Sequence, residues 1–306
     1  MSLKLVFMGT PDFAVPILKT LNDTDHKLLS VYTQPPKKSN RGQKINLSPI
    51  HVFSNSIKIN VRHPTTLNNQ GEIDFFKNLK PDIVIVAAYG KIIPPSILGL
   101  KNIKFINVHA SLLPKWRGAA PIQRSIIEMD KETGISIMKI ISKLDAGPYM
   151  LQEKIKIDKK DNYSTLSKKL SILGSKLIQK SLLIIEKKNE VYVDQDESKA
   201  TYAKKILKQE TEISWNLTAK QLIAKINGLY PSPGAWFRHK GNRLKIIEAI
   251  EVESSGEPGK VLERELIIAC RKNAIKVLFI QKEGKKVLKI KDFLAGHKIN
   301  IGEKLI

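Results

Sequence analysis

The order of apolar runs predicts an α/β chain of two domains, a Rossmann-like, mostly parallel sheet followed by a small β-barrel (OB-like) or sandwich. Three observations carry this. Over the first half, short continuous apolar runs alternate with helical or turn segments, the pattern of strands buried on both faces of a parallel sheet. Toward the C-terminus the runs become short β patterns broken by Gly, Pro, Asn and Lys turns. The length, 306 residues, is more than one hydrophobic core usually spans.

The strands are expected at "LKLVFMG" (3–9), "KLLSVYT" (27–33), "DIVIVAAYG" (82–90) and "KFINVH" (104–109). "GISIMKIISKLDAG" (134–147) gives a further strand ending in a turn, and "YMLQEKIKI" (149–157) another with partial alternation. Leu166, Leu170, Leu173, Leu177 and Ile184 share one face of a helix, a stripe assigned to core packing. The polar, charged stretch "KKNEVYVDQDESKATYAKKI" then reads as a connector. After the helical "TAKQLIAKINGL" come "PSPG" and the β patterns "AWFRHKG", "RLKIIEAIEV", "ELIIAC", "AIKVLFIQ" and "KVLKIKDFL". Domains are expected over 1–189 and 207–306, with 190–206 as linker.

Composition bounds the function classes. No apolar stretch approaches the roughly 20 residues that cross a bilayer, so no membrane association is expected. The N-terminus enters a strand directly, without the pattern of a signal peptide, and the cytoplasm is the expected compartment. A single cysteine, Cys270, excludes an internal disulfide and a thiolate metal cluster. The 52 Lys+Arg against 29 Asp+Glu give +23, a field that attracts polyanions such as nucleic acid, although lysine filling solvated surface gives the same total. Residues 201–306 hold 21 basic and 11 acidic side chains, the more densely basic part.

Functional residues on a parallel sheet belong at the carboxyl ends of its strands. There the run "KFINVH" breaks its apolar pattern at Asn107 and His109, which point to one face of the strand because they are two apart. An amide donor beside a titratable imidazole suits a reaction that develops negative charge on oxygen while a proton moves nearby. Asp145, in "KLDAG" at the end of the following strand, is expected at the same sheet edge, where a carboxylate could orient the imidazole. "FMGTPDF" turns on a glycine but lacks G-x-G-x-x-G, which speaks against a nicotinamide site. His26, His51, His63, His239 and His297 show no partner pattern.

"NVHASLLPKWRGAAPIQ" followed by "GISIMKIISKLDAG" resembles the signature of the 10-formyltetrahydrofolate-dependent formyltransferases. Further stretches extend the resemblance over both domains: "VFMGTPDFAVPIL", "SNRGQKINLSP", "VAAYGKIIP", "TYAKKI" and "INGLYPSPGAWF". It implies formyl transfer from 10-formyltetrahydrofolate, as co-substrate, to the α-amino group of methionine esterified to initiator tRNA, for translation initiation. It also implies Asn107, His109 and Asp145 as the catalytic group, with Asn107 and protonated His109 stabilising an oxyanion and Asp145 holding the imidazole and assisting proton transfer. No metal is required, in keeping with the lack of ligand-spaced Cys/His clusters. The folate is expected against Ser111, Leu112, Leu113 and Pro114, with the pterin near Ala88, Tyr89 and Ile92.

The stretch "PPKKSNRGQK" (35–44) holds Lys37, Lys38, Arg41 and Lys44 and no acidic residue, and it is too rich in Pro, Gly and Asn to form a regular element. By resemblance it contacts the tRNA acceptor arm, Arg41 clamping a phosphate or stacking on a base and Gly42 permitting a close turn. The basic C-terminal domain would add backbone contacts. Trp116 and Arg117 either order their turn or touch the tRNA end. A monomer is expected. Two alternatives remain: a folate-dependent formyltransferase acting on a small amine, such as glycinamide ribonucleotide or an amino-sugar nucleotide, and a non-catalytic RNA-binding protein.

Overall fold

The computed structural model describes residues 2–39 and 44–305. Helices are α1 (Val15–Asn22), α2 (Pro49–Ser56), α3 (Gln70–Leu79), α4 (Pro95–Leu98), α5 (Pro121–Ile127), α6 (Tyr163–Glu186), α7 (Ala219–Leu229) and α8 (Ile290–Gly296). Contacts divide the chain into two compact units, one of Met1–Ala119, Thr133–Ile155 and Ser167–Ala203, the other of Ala120–Glu132, Lys156–Leu166 and Lys204–Ile306.

Strands of the first unit are β1 (Lys4–Gly9), β2 (Lys27–Tyr32), β3 (Lys37–Ser39), β4 (Lys44–Asn46), β5 (Val61–Arg62), β6 (Ile83–Ala87), β7 (Lys104–His109), β8 (Arg117–Gly118), β9 (Glu132–Lys139), β10 (Tyr149–Lys156) and β11 (Tyr202–Ala203). Seven of them form a sheet of order β10-β9-β7-β6-β1-β2-β5. The pairs β1–β2, β1–β6, β6–β7 and β2–β5 are parallel, as their continuous apolar runs require. The chain moves outward from β1 to β5 and returns beside β1 with β6, which makes the β1/β6 boundary the topological switch point.

Two details position the functional edge. Val108, between Asn107 and His109, points toward α6, where a Cβ on Gly174 would stand 3.0 Å from Val108 Cγ1. Glycine therefore lets the helix approach, and alternation turns Asn107 and His109 to the opposite face. The second detail differs from expectation. Strand β9 is antiparallel to β7, pairing Ser136 with His109 and Lys139 with Ile106, so it runs away from the carboxyl end of β7 and ends three residues back from it. A return segment, 140–147, must carry Asp145 to its place.

The stripe of α6 also shifts. Leu166, Leu170, Leu173 and Leu177 are buried as expected, but Ile184 is only half-buried, and the buried line continues through Ile178, Leu182 and Ile185. Elsewhere in this unit, buried Glu72 accepts from Tyr32 Oη at 2.9 Å and from Arg62 Nη2 at 2.6 Å. The Arg62 guanidinium lies 3.9 Å from the centre of the Phe75 ring. Burial and then the Glu72 carboxylate push the Tyr32 phenol far above its ordinary value. The stretch expected to be irregular forms a short antiparallel ribbon instead, β3 on β4, pairing Lys38 with Ile45. Backbone pairing at its two ends outweighs the turn-rich composition between them.

Strands of the second unit are β12 (Ala235–His239), β13 (Asn242–Val252), β14 (Val261–Glu263), β15 (Ile267–Ala269), β16 (Ala274–Lys282) and β17 (Val287–Lys289). They make an antiparallel sheet of order β12-β13-β16-β15-β14, with β17 on β16. Register shifts around Glu248 bend β13. Among the described residues no ladder joins β12 to β14; both edges carry isolated bridges, Glu212 to Trp236 and Lys260 to Lys304. Leu222, Ile226 and Leu229 of α7 fill the core beside Trp215 and Phe237. Contrary to its β pattern, "KVLKIKDFL" is strand only to Lys289; Ile290 and Phe293, three apart, bury one face of α8.

His239 and His297 find partners the sequence did not suggest: His239 Nδ1 lies 2.7 Å from His297 Nε2, and its Nε2 lies 2.7 Å from Glu303. Burial pushes the Cys270 thiol up to about 11, which keeps it protonated and inert. Among the described residues no helix is long and apolar enough to cross a membrane.

Gly134 of β9 admits no side chain. A Cβ there would run into the backbone oxygen of Glu153 and come within 2.6 Å of Leu112 Cδ2. Gly134→Ala is expected to destabilise the protein by about 1–3 kcal/mol or more, through strained β9–β10 packing, read as a lower midpoint in urea unfolding.

Candidate active site

Strands β6 and β7 end side by side, Val86 pairing with Asn107, and their carboxyl ends share an edge with those of β1 and β2. Hydrogen bonds tie the loops there together. The Tyr89 carbonyl accepts from Thr10 Oγ1 at 2.9 Å and from Gln34 Nε2 at 3.1 Å. Gly90, at φ +76°, takes a backbone conformation that side chains disfavour, and a Cβ there would also displace the Gln34 amide.

His109 is buried at 5% exposure, with one ring nitrogen hydrogen-bonded and the other facing a carboxylate. Its Nε2 lies 3.0 Å from the Trp116 carbonyl, which can only accept, so this nitrogen carries the proton. Its Nδ1 faces Asp145 Oδ2 at 3.8 Å, an ion-pair distance longer than a hydrogen bond. The Asp145 carboxylate is fixed by Gly118, whose N–H donates to Oδ2 at 2.9 Å, and by the Asn107 amide, which donates to Oδ1 at 3.4 Å. Asn107, His109 and Asp145 are thus brought together.

Asp145 and Trp116 both occupy the left-handed region, at φ +45° and +63°. Such a conformation costs a bulky non-glycine residue about 1–2 kcal/mol and persists only where its surroundings hold it. Trp116 is held by Thr201, whose Oγ1 accepts its N–H at 2.9 Å. The strain aims its carbonyl at His109. Strand β8 then pairs with β11 in parallel, Arg117 opposite Tyr202. Both Trp116 and Arg117 therefore take part in the turn.

The positions expected to meet folate divide by exposure. Ser111 is buried, its hydroxyl donating to the Lys115 carbonyl at 2.6 Å. Leu113 is buried, with its N–H on Ser136 Oγ and its carbonyl on Gln152 Nε2. The Tyr89 ring lies in the core. Leu112 and Pro114 are half-buried, and Ala88 and Ile92 are exposed, Ile92 at 89%. Of the basic stretch, Lys37, Lys38 and Lys44 lie on the β3–β4 ribbon. Arg41 and Gly42 lie outside the described residues, as do the side chains of those lysines.

Sequence reading missed the groups that support this edge, Gln195, Glu197 and Thr201, because they sit in a charged stretch that reads as connector. Arg117, wholly buried, donates through Nε to Gln195 Oε1 at 2.9 Å and forks to Glu197 at 3.0 and 2.8 Å. The Arg117 guanidinium, with the Lys143 ammonium, holds the Glu197 carboxyl down to about 2. No spacing marks them: Glu197 opens a short 3-10 turn, Glu197–Lys199, and Gln195 lies in the irregular stretch before it. Among the described residues no group of three His, Cys, Asp or Glu could hold a metal ion.

Comparison with known proteins agrees with this architecture. The formyl transferase family model matches residues 3–182, and the formyl transferase C-terminal domain model matches 205–298. The chain is 52% identical to a methionyl-tRNA formyltransferase of Pelagibacter ubique, covering 100% of this chain and 99% of that one. It is 41% identical to one of Paramagnetospirillum magneticum, covering 98% and 99%. In fold it is similar to the methionyl-tRNA formyltransferase of Clostridium thermocellum, with TM-score 0.57, 17% identity and 94% and 99% of the two chains covered. It is also similar to Aquifex aeolicus HypX in complex with tetrahydrofolic acid, with TM-score 0.69 and 16% identity, over 99% of this chain and 49% of that one. Since family models match both parts of the chain and the relatives align with it end to end, it belongs to the formyl transferase family.

Proposed function

We propose that this protein transfers a formyl group from 10-formyltetrahydrofolate to the α-amino group of methionine on initiator tRNA. The observation that carries the chemistry is the convergence of Asn107, His109 and Asp145 on one sheet edge, with the imidazole held between the Trp116 carbonyl and the Asp145 carboxylate. The choice of acceptor rests on the end-to-end likeness to proteins named for it. The reading goes with a monomer working in the cytoplasm.

The co-substrate supplies a formyl group on a nitrogen leaving group. As the amine nitrogen bonds to the formyl carbon, negative charge grows on the formyl oxygen. The second amide N–H of Asn107, the one not given to Asp145, is assigned to that charge, and an imidazolium at His109 adds positive charge beside it on a buried edge, where fixed groups need no reorganisation. The incoming nitrogen gives up one proton and the departing folate nitrogen takes one up, so the balance closes with Asp145 and His109 as carriers. Exposed Ala88 and Ile92, with half-buried Leu112 and Pro114, offer apolar contacts suited to a planar pterin. Buried Ser111, Leu113 and Tyr89 would shape that surface from beneath.

His109→Ala and Asp145→Asn are each expected to lower kcat for methionyl-tRNA formylation by about 10²- to 10³-fold. The double variant should be little worse than the worse single, because the two act as a unit. Multiplicative losses in steady-state kinetics would contradict a shared role. With small amines offered as acceptors in the same assay, turnover should stay far below that with methionyl-tRNA; a preference for a small amine would move the assignment to that class.

The uncompensated cations at 35–44 and the basic C-terminal residues are assigned to tRNA backbone contacts. Binding of tRNA is therefore expected to weaken by roughly 10³-fold or more between 50 and 200 mM salt, if about six phosphates are contacted. Arg41→Ala should lower tRNA-dependent activity more than Lys38→Ala, since a guanidinium can fork to phosphate or stack on a base. Folate binding, followed by fluorescence, should stay near wild type. Loss of folate binding in Arg41→Ala would sink the loop assignment.

A further inference from the structure

We infer that Gln195 is a positioning residue for the reaction: its amide, oriented by the buried Arg117, holds the backbone at Asp145 so that the carboxylate faces His109. This rests on the reading of Asp145 as catalytic.

The geometry leaves the amide one orientation. Nε2 of Gln195 donates to the Asp145 carbonyl at 2.9 Å and to the Gly147 carbonyl at 2.7 Å. Carbonyls only accept, so both amide hydrogens are used there. Oε1 faces Arg117 Nε at 2.9 Å, a group that only donates. Reversing the amide would set oxygen against two carbonyl oxygens and nitrogen against a guanidinium N–H. Arg117 is fixed in turn by its fork to Glu197, to which Lys143 also donates at 2.8 Å. Lys143 belongs to the same return segment as Asp145, so the network holds that segment at Lys143, Asp145 and Gly147.

Such a grip is needed because of β9. The strand ends beside Ile106, and the segment that follows must travel back along β7 and set Asp145 at φ +45°. One two-residue strand, β8, holds it twice: the Gly118 N–H takes the carboxylate directly, and Arg117 takes the backbone through Gln195. Gly147, the second carbonyl held, is itself a tight point, since a Cβ there would collide with the Lys139 carbonyl. A shift of about 1 Å in a catalytic group can cost roughly 10²-fold in rate.

The test is a double-mutant cycle in the full-length chain, scoring kcat and KM for methionyl-tRNA formylation with 10-formyltetrahydrofolate. Gln195→Met keeps length and most of the volume and removes all three hydrogen bonds. It is expected to lower kcat by about 10- to 100-fold, with both KM values nearly unchanged. Gln195→Glu, which keeps the acceptor toward Arg117 and loses both donors, should fall with it. In an Asp145→Asn background, Gln195→Met should cost less than about twofold more, since the carboxylate it serves is already gone. Wild-type kcat in Gln195→Met overturns the proposal. So does an equal loss in both backgrounds, which is also what a smaller folded fraction would give. Near-normal activity in Asp145→Asn alone would overturn the catalytic reading and this inference with it, a result distinct from the other two.

Discussion

The hydrogen bond from the Gly118 N–H to Asp145 Oδ2, at 2.9 Å, is the contact on which the functional edge depends. The sheet itself delivers Asn107 and His109, because a strand buried on both faces must end somewhere and these residues stand where it does. It cannot deliver Asp145. The next strand in sequence runs the other way, so a carboxylate needed at the carboxyl end of β7 is reached only by a segment folded back on itself. Beyond its first residue, whose N–H donates to the Phe105 carbonyl of β7 at 2.9 Å, such a segment makes no ladder with the sheet. It needs an anchor that is already rigid, and β8, paired with β11 and tied to His109 through the Trp116 carbonyl, is that anchor.

Division of labour by alternation explains why a polar edge can sit over an apolar core. Val108 faces α6, close-packed through Gly174, while its neighbours on either side face the opposite way, toward Asp145 and the Trp116 carbonyl. Ser136, opposite His109 in the register, applies the same logic one strand over: its hydroxyl accepts the Leu113 N–H at 3.1 Å and donates to the Ser111 carbonyl at 2.6 Å. The buried polar groups of Ser111, Leu113, Ser136 and Gln152 are thus paired with one another, which avoids the roughly 1–3 kcal/mol cost of leaving them unpaired and favours one conformation of the turn.

What could be read from the sequence follows from what apolar patterning encodes. The central strands were legible because burial on both faces leaves continuous runs such as 83–87 and 104–109, and the α6 stripe was legible through Leu177. The start of α8 was not, because Lys289 and Lys291 alternate with Leu288 and Ile290 through the boundary and only the spacing of Ile290 and Phe293 betrays the helix. Asn107 and His109 stood out as polar breaks in a buried run. Asp145 was visible as a residue but not as a problem of direction, since strand polarity leaves no mark on composition. Gln195, Glu197 and Thr201 were illegible for the opposite reason: polar residues that serve one another look the same as polar residues that serve water.

The pairing of β8 with β11 also sets a timetable. Thr201 lies 85 residues beyond the Trp116 that it holds. At a synthesis rate of about 5–20 residues per second, the 111–118 turn leaves the ribosome roughly 4–17 seconds before its partner exists. In that interval the parallel strands and then α6 can assemble, with every residue of the Asn107–His109–Asp145 group already made and the Gly118 N–H alone at hand to hold the last of them. The support that comes latest is a polar strap, Gln195 to Thr201, so the cluster is complete in sequence before its backing is.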